Sequence, residues 1–227
     1  MAKHLKSLNV PASWPVKRKA TKFMLRPSPG KPMTDSLPIA LVFKNLLKYT
    51  KTMKEVKTIL MDQEILIDGK RIKDPKSPLG IMDILSIPVS EEYYTLLISK
   101  AKKLYLHKIE KKDTANKVCK IIGKTMVKKG KMQLNLYDGK NFLVKEGKYT
   151  IGDSVVLSLP DQKIKDILKL EKGNYALLTK GSHVGMHGII QEISVLVKIK
   201  TKTAEFETTK ESVFVIGKKE SMVAFKE

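Results

Sequence analysis

The chain has 227 residues, 42% of them apolar, enough to bury the core of one large domain or two to three small ones. It carries 44 Lys and Arg against 23 Asp and Glu, a formal net charge of +21, which calls for a polyanionic partner and puts nucleic acid ahead of a membrane. A single cysteine excludes an internal disulfide, the basic N-terminus lacks the apolar stretch of a signal peptide, and no run reaches the length of a membrane span. A soluble intracellular protein is therefore expected.

The charge is unevenly spread. Residues 1–34 hold 8 basic and no acidic residues, 35–97 hold 9 of each, and 98–132 hold 12 basic against 2 acidic. The remaining two stretches are nearly balanced, with 6 against 5 over 133–170 and 9 against 7 over 171–227.

The first stretch has prolines at 11, 15, 27, 29 and 32 and no sustained helical or strand period. Its basic residues repel one another and its prolines break hydrogen-bond ladders, so alone it is not expected to fold. Trp14, Phe23 and Leu25 favour an arm that orders against a partner, with phosphates supplying the counter-charge. Lys3, His4, Lys6, Lys17, Arg18, Lys19 and Arg26 are its candidate contacts.

Ile39, Val42, Phe43, Leu46 and Leu47 then recur at helical spacing and predict one buried stripe. Thr52 to Glu55 reads as a capping box opening a second helix, buried through Met53, Val56, Ile59 and Leu60. "EILIDGKRI" predicts a two-residue type I′ hairpin around Asp68-Gly69, and "MDILSI" a further strand. The basic stretch that follows reads as a connector running into a strand. Lys100, Lys102, Lys103, Lys128, Lys129 and Lys131 are its candidate nucleic-acid contacts. Cys119 inside it reads as a small core residue.

"MQLNLYDGKNFLV" alternates around Asp138-Gly139, a second hairpin signal, and Gly152-Asp153 reads as the turn before the strand "DSVVLSLP". From Gly173 onward, "YALLT", "GIIQEI", "VLVKIKT", "AEFETT" and "SVFVIG" predict five short strands and a small barrel. Between the first two lies "TKGSHVGMHGII", with three glycines and two histidines. His183 and His187 have no nearby cysteine, and Gly185 and Gly188 oppose the helix that a paired-histidine metal site requires. The glycine spacing fits neither dinucleotide nor P-loop patterns. No metal, cofactor or nucleophilic site is expected; His4 and His107 read as surface or RNA-facing, and Asp138 and Asp153 as turn residues.

"MKEVKTILMDQEILIDGKRIKDP" resembles the S-four RNA-binding domain, which implies two helices on a small sheet that present a basic groove to structured RNA. Lys44, Lys48, Lys51, Lys54, Arg71 and Lys73 stand at the matching basic positions. The flanks extend the likeness. "HLKSLNVPASWP" and "RPSPGKP", with "PLGIMDILSI", "LNLYDGKNFLV" and "FVIGKK", resemble the archaeal and eukaryotic small-subunit ribosomal protein family S-four-e along the whole chain, in archaeal proportions. The resemblance implies that the last part is a KOW module, an SH3-like barrel whose glycine loop meets RNA through backbone N–H groups and through Lys180, Ser182 and His183. Met186 and Ser7 depart from common basic residues of the family.

These readings give an α+β, multidomain fold. A basic arm over 1–36 precedes an S-four-like domain over 37–97, a central β-rich domain over 98–170 and a KOW barrel over 171–227. The expected function is structural, binding small-subunit rRNA beside neighbouring ribosomal proteins, without catalysis, membrane contact or a small-molecule substrate. The alternatives are a pseudouridine synthase carrying an S-four domain and a KOW-containing elongation factor. The first would need a large catalytic domain where small β modules are predicted, and the second would need neither the S-four domain nor the arm.

Overall fold

Trp14, in the stretch expected to lack a core of its own, is only 1% exposed. Its indole N–H donates to the Met33 carbonyl at 3.0 Å, and the Leu104 N–H donates to the neighbouring Ser13 carbonyl at 2.8 Å. Val10 is buried with it. The computed structural model describes residues 4–127, 130–144, 147, 149–201, 204–218 and 221. It divides into two compact units, Met1–Thr114 and Ala115–Glu227. The arm is part of the first unit, which corrects the expectation of an extended tail that orders only against a partner. A large indole with one hydrogen-bond donor gains more by docking on its own domain than by waiting in water.

The arm forms a two-stranded ribbon of β1 (Leu5–Lys6) and β2 (Phe23–Met24), with Leu5 opposite Met24 and Lys6 opposite Phe23. Strand alternation half-buries the first pair and exposes the second. After β3 (Ser36–Pro38), α1 (Ile39–Leu41) widens at once into a π-helical turn over Val42–Leu46, closed by a Leu47 N–H to Val42 carbonyl bond of 3.0 Å. Ile39 to Phe43 are all buried, whereas Leu46 and Leu47 are only half-buried. The predicted stripe is therefore cut short: the wider turn shifts the register, and Lys48 leaves the helix with a φ of 59°.

The second helix, α2 (Met53–Asp62), begins as its sequence dictates. The Glu55 N–H donates to the Thr52 side chain while the Glu55 carboxylate takes the Thr52 N–H, and Val56 and Leu60 are buried beneath. Strands β4 (Leu66–Ile67) and β5 (Lys70–Arg71) flank Asp68 and Gly69, whose φ values of 52° and 76° are those of the predicted two-residue turn. β6 (Pro78–Gly80) pairs back with β3, and β7 (Ile84–Ile87), β8 (Glu92–Ile98) and β9 (Leu104–Ile109) complete an antiparallel sheet ordered β5-β4-β7-β8-β9. The start of the predicted connector is thus the closing hairpin of this sheet, with Leu104 buried, Tyr105 to His107 and Ile109 half-buried and Lys108 exposed.

In the second unit, β10 (Asn116–Val127) is shared by two partners. Its first half pairs with β13 and its second half with β11, across a bulge that leaves Ile122 exposed. β11 (Lys131–Leu136), β12 (Asn141–Val144), β13 (Ser154–Ser158) and β14 (Lys163–Leu168) complete the order β12-β11-β10-β13-β14. Cys119, Ile121, Leu134, Leu136, Val155 and Leu157 form its core, so the cysteine is the small core residue expected. The last sheet contains β15 (Tyr175–Leu178), β16 (His187–Ile193), β17 (Leu196–Lys200), β18 (Glu205–Thr209) and β19 (Val213–Gly217), in the order β18-β17-β16-β15-β19. All five predicted strands are present, and the last returns beside the first. The molecule is mostly β-sheet with few helices, so its helical share is smaller than the α+β reading implies.

Candidate nucleic-acid interface

Three positions on, the buried Trp14 gives way to a solvent-facing stretch. Lys17, Arg18, Lys19, Lys22, Phe23 and Arg26 are all exposed, as are Lys6 on the neighbouring strand and His4 just before it. Among the described residues, none of these cations forms an ion pair. At the far end of the stretch, Lys31 is bound to the buried carboxylate of Asp83, which also accepts the Gly80 N–H at 2.6 Å. The loop is therefore tied down at both ends, and its charge faces water between them.

The first sheet adds a second basic group. Lys48, Lys51, Lys54, Arg71 and Lys73 are exposed, and Lys44 is half-buried on the π-helical turn. Arg71 donates to the Met61 carbonyl at 3.0 Å near the end of α2, which fixes its guanidinium against the helix. In the turn between β8 and β9, Lys100 and Lys102 are exposed. Lys103 instead directs its ammonium to the Ala12 and Trp14 carbonyls. Lys103 is thus a strut for the arm, a role that no local pattern announces because its partners lie 91 and 89 positions away.

Two further lysines of the second unit are also committed inside the fold. The ammonium of Lys117 is buried 3.0 Å from the Asp138 carboxylate, which Lys140 approaches at 3.3 Å. Burial alone would raise the Asp138 pKa, but the charges of Lys117 and Lys140 outweigh it and hold the carboxyl below its usual range. Asp138 also accepts the Lys140 N–H at 3.1 Å, so it still shapes its turn. Lys120 donates to the Glu211 carbonyl at 2.7 Å and to that of Lys210 at 3.3 Å, joining the two sheets of this unit. Its burial, followed by the nearby charge of Lys180, lowers its pKa to about 8.

The glycine loop rises between β15 and β16. Gly181 and Gly185 have φ values of 92° and 80°, the left-handed turn conformation expected of them. Gly188 serves a different purpose: a Cβ there would lie 2.2 Å from the Lys200 carbonyl oxygen, so it permits close approach of β16 and β17. Lys180 and Ser182 are exposed at the tip. His183 is half-buried, stacked on Phe206 with ring centroids 4.5 Å apart, while His187 meets the Tyr175 hydroxyl through Nδ1 at 2.6 Å. The two histidines thus engage different partners. Behind the loop, the outer face of the last sheet is cross-paired: Lys198 lies 3.5 Å from both Glu192 and Glu207, and Lys200 lies 3.2 Å from Glu205.

Of the remaining predicted contacts, Lys131 is exposed, while Lys3, Lys128 and Lys129 lie outside the described residues. Lys22 was missing from the predicted set although it lies within the same basic run. Its cation sits 5.6 Å from the centroid of the Phe23 ring. Among the described residues no helix is long and apolar enough to cross a membrane.

A mostly β molecule with a basic, solvent-facing surface has the build of an RNA-binding protein, and its relatives make the class specific. Residues 90–164 match Ribosomal family S4e, and residues 1–31 match the RS4NT (NUC023) domain. Small ribosomal subunit protein eS4 of Methanococcus maripaludis is 41% identical, covering 98% of this chain and 97% of that protein. Its counterpart from Methanothermobacter thermautotrophicus is 37% identical over 98% and 95%. The crystal structure of 30S ribosomal protein S4e from Thermoplasma acidophilum superposes with a TM-score of 0.72 at 31% identity, covering 83% of this chain and 99% of that one. The class is therefore that of small-subunit ribosomal proteins. The chain belongs to ribosomal family S4e, and the pseudouridine synthase and elongation-factor readings gain no support from these relatives.

Proposed function

We propose that the chain acts in the small ribosomal subunit by binding rRNA through phosphate neutralisation and shape, with no catalytic step of its own. The observation that carries this reading is the exposed run from Lys17 to Arg26, cationic without acidic neighbours in residues 1–34 and held at both ends by the first unit. Each lysine or arginine that meets a phosphate releases condensed counterions, and the folded modules set where those contacts fall.

In this reading residues 37–97 work as an S-four-type module, with Lys44, Lys48, Lys51, Lys54, Arg71 and Lys73 along the RNA. Residues 171–227 work as a KOW module of SH3-like type that meets RNA through Lys180 and Ser182. The five strands of the last sheet and the positive-φ glycines of its loop support that assignment. The arm over 1–36 and a central β-rich domain, whose start moves from residue 98 to β10 because β9 closes the first sheet, complete the arrangement. The partners are small-subunit rRNA and adjacent ribosomal proteins, in the cytoplasm.

The test is sedimentation. The protein is expected to travel with purified small subunits at low salt and to leave them only at high salt. Its absence from low-salt subunits would overturn the proposal.

A further inference from the structure

The ribbon of β1 and β2 presents an aromatic ring where a purely electrostatic contact would need none. Phe23 is 50% exposed, although its neighbour Met24 turns inward. Its cross-strand partner is Lys6, which strand alternation places on the same outer face. The His4 ring lies beside it, with centroids 5.7 Å apart and planes tilted by 52°. The Lys22 ammonium also lies over the ring, 5.6 Å from its centroid. An exposed phenyl framed by a second ring and two cations offers a base a π-face and offers the adjoining phosphates their counter-charge.

A neighbouring protein is the other conceivable occupant of an exposed phenyl. The surroundings favour RNA: Lys6, Lys17, Arg18, Lys19, Lys22 and Arg26 are all exposed, and residues 1–34 contain no acid. An apolar protein patch seated here would have to desolvate several of these cations without neutralising them. A single-stranded segment of RNA supplies charge and ring together.

We infer that Phe23, flanked by His4, Lys6 and Lys22, is a stacking site for an unpaired RNA base. This rests on the RNA-binding reading above and adds base contact to a surface otherwise described by charge. The site takes a flat, unstacked nucleobase of any identity, because ring stacking does not depend on base-edge hydrogen bonds.

The experiment compares the full chain with Phe23→Leu and Phe23→Trp, using short oligoadenylate and an abasic strand of the same length and phosphate count. The wild type is expected to prefer oligoadenylate, and Phe23→Leu to lose about tenfold toward it while keeping its affinity for the abasic strand. Phe23→Trp is expected to keep the preference. The buried Trp14 fluorescence reports that each variant remains folded (Phe23→Trp is checked by circular dichroism instead). Equal affinity of wild type and Phe23→Leu for oligoadenylate overturns the inference. So does an unchanged RNA affinity combined with poorer incorporation into small subunits, which would assign the ring to a protein neighbour. Failure of the wild type to bind either strand would instead remove the RNA-binding reading beneath it.

Discussion

The first 34 residues and the segment 171–227 that holds the last sheet carry nearly the same number of basic residues, 8 and 9, yet they present them differently. In the arm, Lys17, Arg18, Lys19 and Arg26 have no acidic neighbour in the first 34 residues and face water. On the outer face of the last sheet, Lys198 and Lys200 stand between Glu192, Glu205 and Glu207. A third set, Lys103, Lys117 and Lys120, is committed to the fold through carbonyls or a buried carboxylate. Total charge therefore overstates the cations available to a polyanion, and the way each lysine is partnered decides its use.

That contrast can be broken at its strongest point first. Asp138→Ala would leave the buried Lys117 ammonium without its close carboxylate, and a loss of about 3–5 kcal/mol of stability is expected in the second unit, read by urea unfolding. An effect under 1 kcal/mol would mean that the Asp138 carboxylate is not what holds Lys117 in the fold.

Lys120 gives a pH test of the same idea. Its pKa falls from 10.5 to about 8 in the folded chain, so its charged form is disfavoured by folding. The penalty is complete below about pH 8 and disappears as pH rises toward 10.5. Stability of the wild type relative to Lys120→Met should then rise by up to about 3 kcal/mol across that window. Parallel pH profiles would remove Lys120 from the set of committed lysines.

The available cations are tested by salt. Replacing Lys17, Arg18 and Lys19 together with glutamine should lower the slope of log affinity for RNA against log salt by roughly two to three. The smallest effect belongs to the cross-paired sheet: Lys198→Gln with Lys200→Gln should leave that slope unchanged. A fall equal to that of the arm variant would erase the distinction between the two regions.

Local signals in the sequence read correctly where their physics is local. The Thr52–Glu55 capping box and the Asp68-Gly69 turn depend on residues within four positions, and both form as written. Asp138-Gly139 also marks a hairpin, but its loop is longer than two residues, because Asp138 is turned inward toward Lys117, 21 positions away. Trp14 was expected to face a partner, and no pattern around it specifies Met33 or the start of β9 as its receptor. His183 and Phe206, and Lys103 and Ala12, meet for similarly distant reasons. The exposed cations of the candidate interface were legible from composition alone, since solvation is the default for lysine and arginine. Which cations had been drawn into the fold was not.

The double anchoring of the arm alters the thermodynamics of an encounter. A free basic tail loses most of its conformational freedom on meeting its target, and that loss subtracts from affinity. Here Trp14 and Lys31 close the intervening chain into a loop during folding of the free protein. The entropy of closure belongs to folding, and only the residual freedom of the loop opposes association. Cutting the peptide chain within that loop would spare every cation and still weaken binding, because the two new ends would have to be ordered again.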